Sequence, residues 1–206
     1  EGGYQDLYGD DQMVYEVLDS LVGPGRIICA SAGNQSIHLT HLQKPLGEKR
    51  AAALLELTDK SGFYQLKADK LANFCLEFFF GEECVYEKEI CTKDILTLPD
   101  SILSDTLSIA DRTFQLLVAT YPSCYNANEW ATELYLKDLT EGNPKPTCHP
   151  ALTLKGEDAN IEAYASGGYF LHVDYLPLYA DATATHNINT PASAPGVICV
   201  GSSAYR

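Results

Sequence analysis

The chain has 206 residues, 46% of them hydrophobic and 20% charged, enough to bury a core and too apolar for disorder. A formal net charge of −14 argues against nucleic acid as a partner, because phosphate binding needs clustered Lys and Arg. No apolar run is long enough to span a bilayer, and seven cysteines without a CxxC pair fit neither a zinc ribbon nor a dense disulfide scaffold. Residues 1–11 (EGGYQDLYGDD) carry no Met, basic segment or apolar stretch, so no signal peptide is expected within the chain.

Residues 10–22 place Met13, Val14, Val17, Leu18 and Leu21 at helical spacing, which predicts a helix stopped by Gly23-Pro24-Gly25. A continuous apolar strand is expected over 26–32. Helix, tight turn and strand together read as half of a parallel α/β unit. Beyond residue 45 the texture changes. Segments 51–57, 63–68, 74–80, 84–90, 113–121, 130–139, 150–155 and 168–176 are short, rich in aromatic or β-branched residues, and separated by turn clusters. They predict a two-sheet, jelly-roll-like sandwich. Residues 183–206 return to the first texture, with Val197-Ile198-Cys199-Val200 as a second apolar strand. The expected fold class is therefore α/β: a partial parallel-sheet core in 1–45 and 183–206, with a large all-β domain, 46–182, inserted into it.

Several side chains invite chemical readings. Gly33-Asn34 after a strand is either a turn or a place where a ligand meets the backbone and is bonded by the amide. His38 and His41 offer two nitrogens to a metal, but no further ligands follow at a usable spacing, and no metal or other cofactor is expected. His172 and Asp174 fall on one side of the expected strand 168–176, its solvated face. Phe78, Phe79 and Phe80 divide between the two faces of theirs. Tyr121, Tyr125 and Trp130, if exposed together, would make a strip for a glycan or protein ligand.

Three stretches carry a resemblance. GRIICASAGN (25–34), TPASAPGVICVGSSAYR (190–206) and GGYQDLYGDDQMVYEVLDSLVGPG (2–25) occur in the order found in subtilisin-like serine peptidases, the subtilases. They are most similar to a bacterial subgroup, including clostridial spore-germination proteases, with a jelly-roll domain inserted in the catalytic domain. The resemblance covers the two ends of the chain. It implies that Asn34 donates to the oxyanion of a tetrahedral intermediate, that Ser31, Ala32 and Gly33 line the S1 pocket, and that Gly2 and Gly3 lie on the strand that pairs with a protein or peptide substrate. It also implies that the inserted domain packs on the catalytic core, and a secreted or cell-envelope location. Glu1, Gln35 and Ser36 depart from the family's usual residues, so peptide preference does not carry over.

The Asp-x-Gly, His-Gly-Thr and Gly-Thr-Ser-x-Ala motifs of the triad do not occur in these 206 residues. In family order they fall before Gly2 and after Arg206. The expectation is thus the central portion of a serine endopeptidase, inactive by itself. A triad-less pseudoprotease with a regulatory role and a β-sandwich binding module are the rival expectations.

Overall fold

The computed structural model describes residues 10–33, 37–123, 126–142, 147–185, 192 and 194–201. Its strands, in chain order, are β1 (Cys29–Ser31), β2 (His41–Lys44), β3 (Arg50–Glu56), β4 (Ser61–Ala68), β5 (Asn73–Phe80), β6 (Glu83–Cys91), β7 (Ile102–Ile109), β8 (Arg112–Pro122), β9 (Trp130–Asp138), β10 (Cys148–Lys155), β11 (Ile161–Gly167), β12 (Tyr169–Leu171) and β13 (Ile198–Val200). Among the described residues there are two α-helices, α1 (Asp10–Leu21) and the single turn α2 (Thr92–Ile95). No helix of the described residues is long and apolar enough to cross a membrane.

The expected α/β class is overturned. Eleven of the strands form two antiparallel sheets, ordered β12-β3-β10-β5-β6 and β2-β11-β4-β9-β8-β7. Parallel pairing among the described residues is confined to β1 with β13, three residues on each side. A parallel sheet needs both faces covered, and here Ile27, just before β1, is 75% exposed. The continuous apolar run 26–32 is thus mostly solvent-facing chain rather than a core strand.

Alternation explains why the two sheets close on each other. Tyr64, Leu66 and Ala68 of β4 point inward, as do Phe74, Leu76 and Phe78 of β5, and all join one buried cluster. Phe78 meets Phe114 of the opposite sheet with ring centroids 4.9 Å apart. Its neighbour Phe79 points the other way, into a smaller cluster with Ala52, Leu54, Ala151, Leu176 and Tyr179. That cluster lies under the segment following β12, which runs across the outer face of the five-stranded sheet. Asp181 fixes this segment, its carboxylate accepting from Ala52 N at 2.8 Å and its own N–H donating to Ala52 O at 3.1 Å. The strand expected over 168–176 therefore ends at Leu171. Leu176 N donates to Val173 O at 3.1 Å, a turn that Pro177 continues into a 3-10 segment, Pro177–Tyr179.

One crossing of backbones is too tight for a side chain. Gly168 has φ +124°, and a Cβ there would stand 2.6 Å from Glu56 O and 3.0 Å from the Tyr64 hydroxyl. That hydroxyl, fully buried, lies 3.1 Å from both Glu56 O and Tyr169 O, which share its one proton. Gly168→Ala is expected to cost about 2–3 kcal/mol in urea unfolding. Tyr64→Phe, which removes the hydroxyl that both carbonyls share, should cost about 1–2 kcal/mol.

Candidate functional site

The candidate site is built where α1 hands over to β1. Gly23 and Arg26 exchange backbone hydrogen bonds of 3.1 and 2.8 Å, and Gly25 at φ +76° reverses the chain between them. β1 then runs parallel to β13 with Cys29 opposite Ile198, Ala30 opposite Cys199 and Ser31 opposite Val200. Ile198 N donates to Ile28 O, and Ala32 N to Val200 O, both at 2.9 Å. The pair thus brings chain from opposite ends of the sequence into register. Gly196, just before β13, abuts the end of α1: a Cβ on it would lie 2.4 Å from the Asp19 carboxylate and 2.8 Å from Val22.

Ser31 and Gly33 are exposed and Ala32 is half-buried. Gly33 adopts φ +98°, a conformation that a side chain would strain, so the strand turns there with its backbone open to solvent. These three candidates therefore line one exposed strand end. Asn34, Gly2 and Gly3 lie outside the described residues. So does Tyr125.

Beyond the candidate loop the chain is quickly anchored to the sandwich. The His38 ring stacks on Tyr169 at 4.1 Å, and Phe170 N donates to Leu39 O at 2.8 Å. His41 and Thr183 then exchange backbone bonds of 3.1 and 2.7 Å. The path into the sandwich and the path out of it are tied together at that point.

The other candidates do not converge. His38 and His41 take up separate roles, the first stacked on Tyr169 and the second bonded through Nδ1 to the Thr185 hydroxyl at 3.1 Å. Among the described residues no three His, Cys, Asp or Glu side chains are grouped to hold a metal. His172 and Asp174 are exposed past the end of β12 rather than on a strand. Tyr121 pairs with Ala131 and Pro122 with Trp130, so the two aromatic side chains leave opposite faces of the sheet and form no strip. Tyr121 instead donates to Glu133 at 3.1 Å.

Sequence reasoning missed the state of the apolar surface around β1. Met13, Val17 and Leu21 of α1 are 68%, 54% and 51% exposed, and Ile198 and Val200 of β13 are each 51% exposed. The helical spacing of the first three does mark an apolar face, but not that the described chain leaves it uncovered.

No family model matches the sequence, and no curated protein matches it either. Among solved structures it is similar to the CspB protease of Clostridium perfringens, at 14% identity and a TM-score of 0.64, over 98% of this chain and 40% of that one. The likeness is one of fold. It shows that this architecture occurs within a protease, and the chain spans 40% of the length of the structure it matches.

Thiol chemistry gives a check on this geometry. Cys29 and Cys199 are exposed on the β1–β13 pair. Cys75 is buried, and burial together with its hydrogen bond to Glu87 pushes its thiol up to about 12. Burial likewise pushes Cys148 up to about 11. The thiolate is the reactive form. At pH 7.5 iodoacetamide should therefore alkylate Cys29 and Cys199 many-fold faster than Cys75 and Cys148, as read by peptide mass mapping. Equal rates would contradict the placement of the two sets.

Proposed function

We propose that this chain is the central portion of a subtilisin-like serine endopeptidase, with the Ser-His-Asp triad carried by residues other than these 206. The observation that carries the reading is a fold shared with part of a protease, in a chain whose exposed β1 strand end bears the run Ser31-Ala32-Gly33-Asn34. In this reading the triad serine attacks the scissile carbonyl and the histidine takes its proton. The Asn34 amide donates to the oxyanion that forms. A preorganised donor is worth most where charge develops, so it stabilises the transition state more than the bound peptide. Ser31, Ala32 and the Cβ-less Gly33 offer a low wall against which a substrate side chain lies, and Gly2 and Gly3 pair with the peptide backbone.

The uncovered apolar surface supports the same reading. Burying a large apolar side chain is worth about 1.5–3 kcal/mol. Leaving several half in water forgoes roughly 5 kcal/mol, comparable with the whole net stability of a small domain. The exposed faces of α1 and β13 are therefore proposed to pack against the segments that carry the triad. Residues 46–182 are the inserted unit, packed on the catalytic portion, and the working location is secreted or at the cell envelope.

The test uses the native protein that contains these residues, treated with a fluorophosphonate probe and mapped by mass. An adduct on a serine outside residues 1–206, absent after denaturation, is expected. Asn34→Ala should lower kcat by about 10²–10³ with little change in KM, the size of effect that oxyanion donors carry. A folded protein that takes no adduct after any propeptide is removed would be a pseudoprotease, and the proposal would fail.

A further inference from the structure

We infer that the ammonium group of Lys44 fills a monovalent-cation site built from the backbone carbonyls of Pro45, Glu48 and Ala159. Lys44 is fully buried at the end of β2. Its Nζ donates to Ala159 O, to Glu48 O at 3.2 Å and to Pro45 O at 3.3 Å. Three acceptors match three N–H groups. An ammonium has three and a neutral amine two, so the geometry fits the charged form.

The oxygens come from two loops that lie side by side. Loop 45–48 and loop 156–160 are stitched by Gly47 N donating to Glu157 O at 2.8 Å and Gly156 N donating to Lys49 O at 3.3 Å. Gly47 at φ +91° and Gly156 at φ +108° provide the reversals these loops need. Carbonyl dipoles converging on one point repel each other, and a buried carbonyl short of donors costs free energy, although Pro45 O also accepts from Glu48 N at 3.2 Å. A cation at the focus removes both penalties, as in pores where carbonyls replace the water around an ion. Burial holds the Lys44 pKa below the usual lysine value, and the carboxylates of Asp158, Asp69 and Glu48 work against that shift. The side chain is thus a tethered ion, and the site's chemistry is that of a primary alkylammonium.

Truncation makes the inference testable. Lys44→Ala removes Cγ, Cδ, Cε and Nζ, the heavy atoms of n-propylammonium. The variant's Tm is expected to fall by on the order of 10 °C. n-Propylammonium chloride should then raise it by several degrees, increasing with the logarithm of concentration, with no such rise for the unaltered chain. n-Propanol and choline chloride at the same concentration should do less. Equal rescue by n-propanol or choline, or rescue by none of the three, would overturn the inference. Lys44→Met, which keeps the stem and loses the charge, covers the case in which the alanine variant does not fold; a Tm equal to that of the unaltered chain would likewise overturn it. In the unaltered folded chain, reductive methylation should spare Lys44 while modifying exposed lysines such as Lys49, whose side chain is 84% exposed. Methylation of both at one rate would count against a buried tethered ion.

Discussion

The contact between Phe78 and Phe114 marks the constraint on which most of this structure depends: each sheet must give one whole face to the other. In a strand, alternate residues leave opposite faces, so the pleat of β5 commits Phe74, Leu76 and Phe78 to the interior together. The same pleat sends Cys75, Glu77 and Phe79 outward. That second face cannot simply be left wet, because Phe79 is as apolar as its neighbours. The segment after β12 covers it, and the cover is held by polar groups as much as by contact. Tyr179 donates to Glu77 at 2.9 Å, and the Arg50 guanidinium sits 4.6 Å over the Tyr179 ring. Arg50 also donates to Leu178 O at 2.8 Å.

Buried polar groups mark where this scheme is locally expensive, and several are answered by partners from other elements. Thr153 and Tyr179 both donate to Glu77, so that carboxylate is supplied from two elements. Tyr64 spends its hydroxyl on carbonyls at the β3–β12 edge, which is why glycine is needed beside it at 168. Lys44 answers three carbonyls at once. At the β6–β7 side, where the two sheets each present an edge, Asp105 accepts from Lys88 at 2.9 Å and from the backbone N–H of Thr106 at 2.8 Å. One carboxylate there ties the two edges together and occupies an amide that an incoming strand would otherwise use.

Much of the strand content was legible because it followed apolar clusters bounded by turns. β3, β4, β5, β6, β8, β9 and β10 all lie in segments where that signal is strong. β2, β7 and β11 carry it weakly. β2 has four residues and ends in a buried lysine. β7 is interrupted by the consecutive polar residues Ser104, Asp105 and Thr106, and three of the seven residues of β11 are Ala or Gly, Ala163, Ala165 and Gly167. The α/β reading failed for a physical reason. Apolar runs such as 26–32 and 197–200 report what a segment prefers to bury, not whether the chain supplies the partner. The candidate loop was legible only as a run of residue types, whereas the carbonyl cage was not legible at all. Residues 45, 48 and 159 show no pattern that would announce three oxygens meeting one ammonium.

The connection between the β1–β13 pair and the sandwich follows from loop entropy. Closing a flexible loop costs more as it lengthens, though only logarithmically. Here most of that cost is removed, because the intervening chain is folded and its two ends are already tied at His41 and Thr183. The pairing of Cys29 with Ile198, distant in sequence, is therefore a short-range event once the sandwich has formed. The dependence also runs the other way. Three pairs of residues in parallel register, with apolar surface still in water, hold β1 and β13 together weakly by themselves. The tie at His41 and Thr183 therefore helps to hold the two strands near each other. Among the described residues, the first such backbone contact after β1 is made by Leu39 and Phe170, which meet at 2.8 Å.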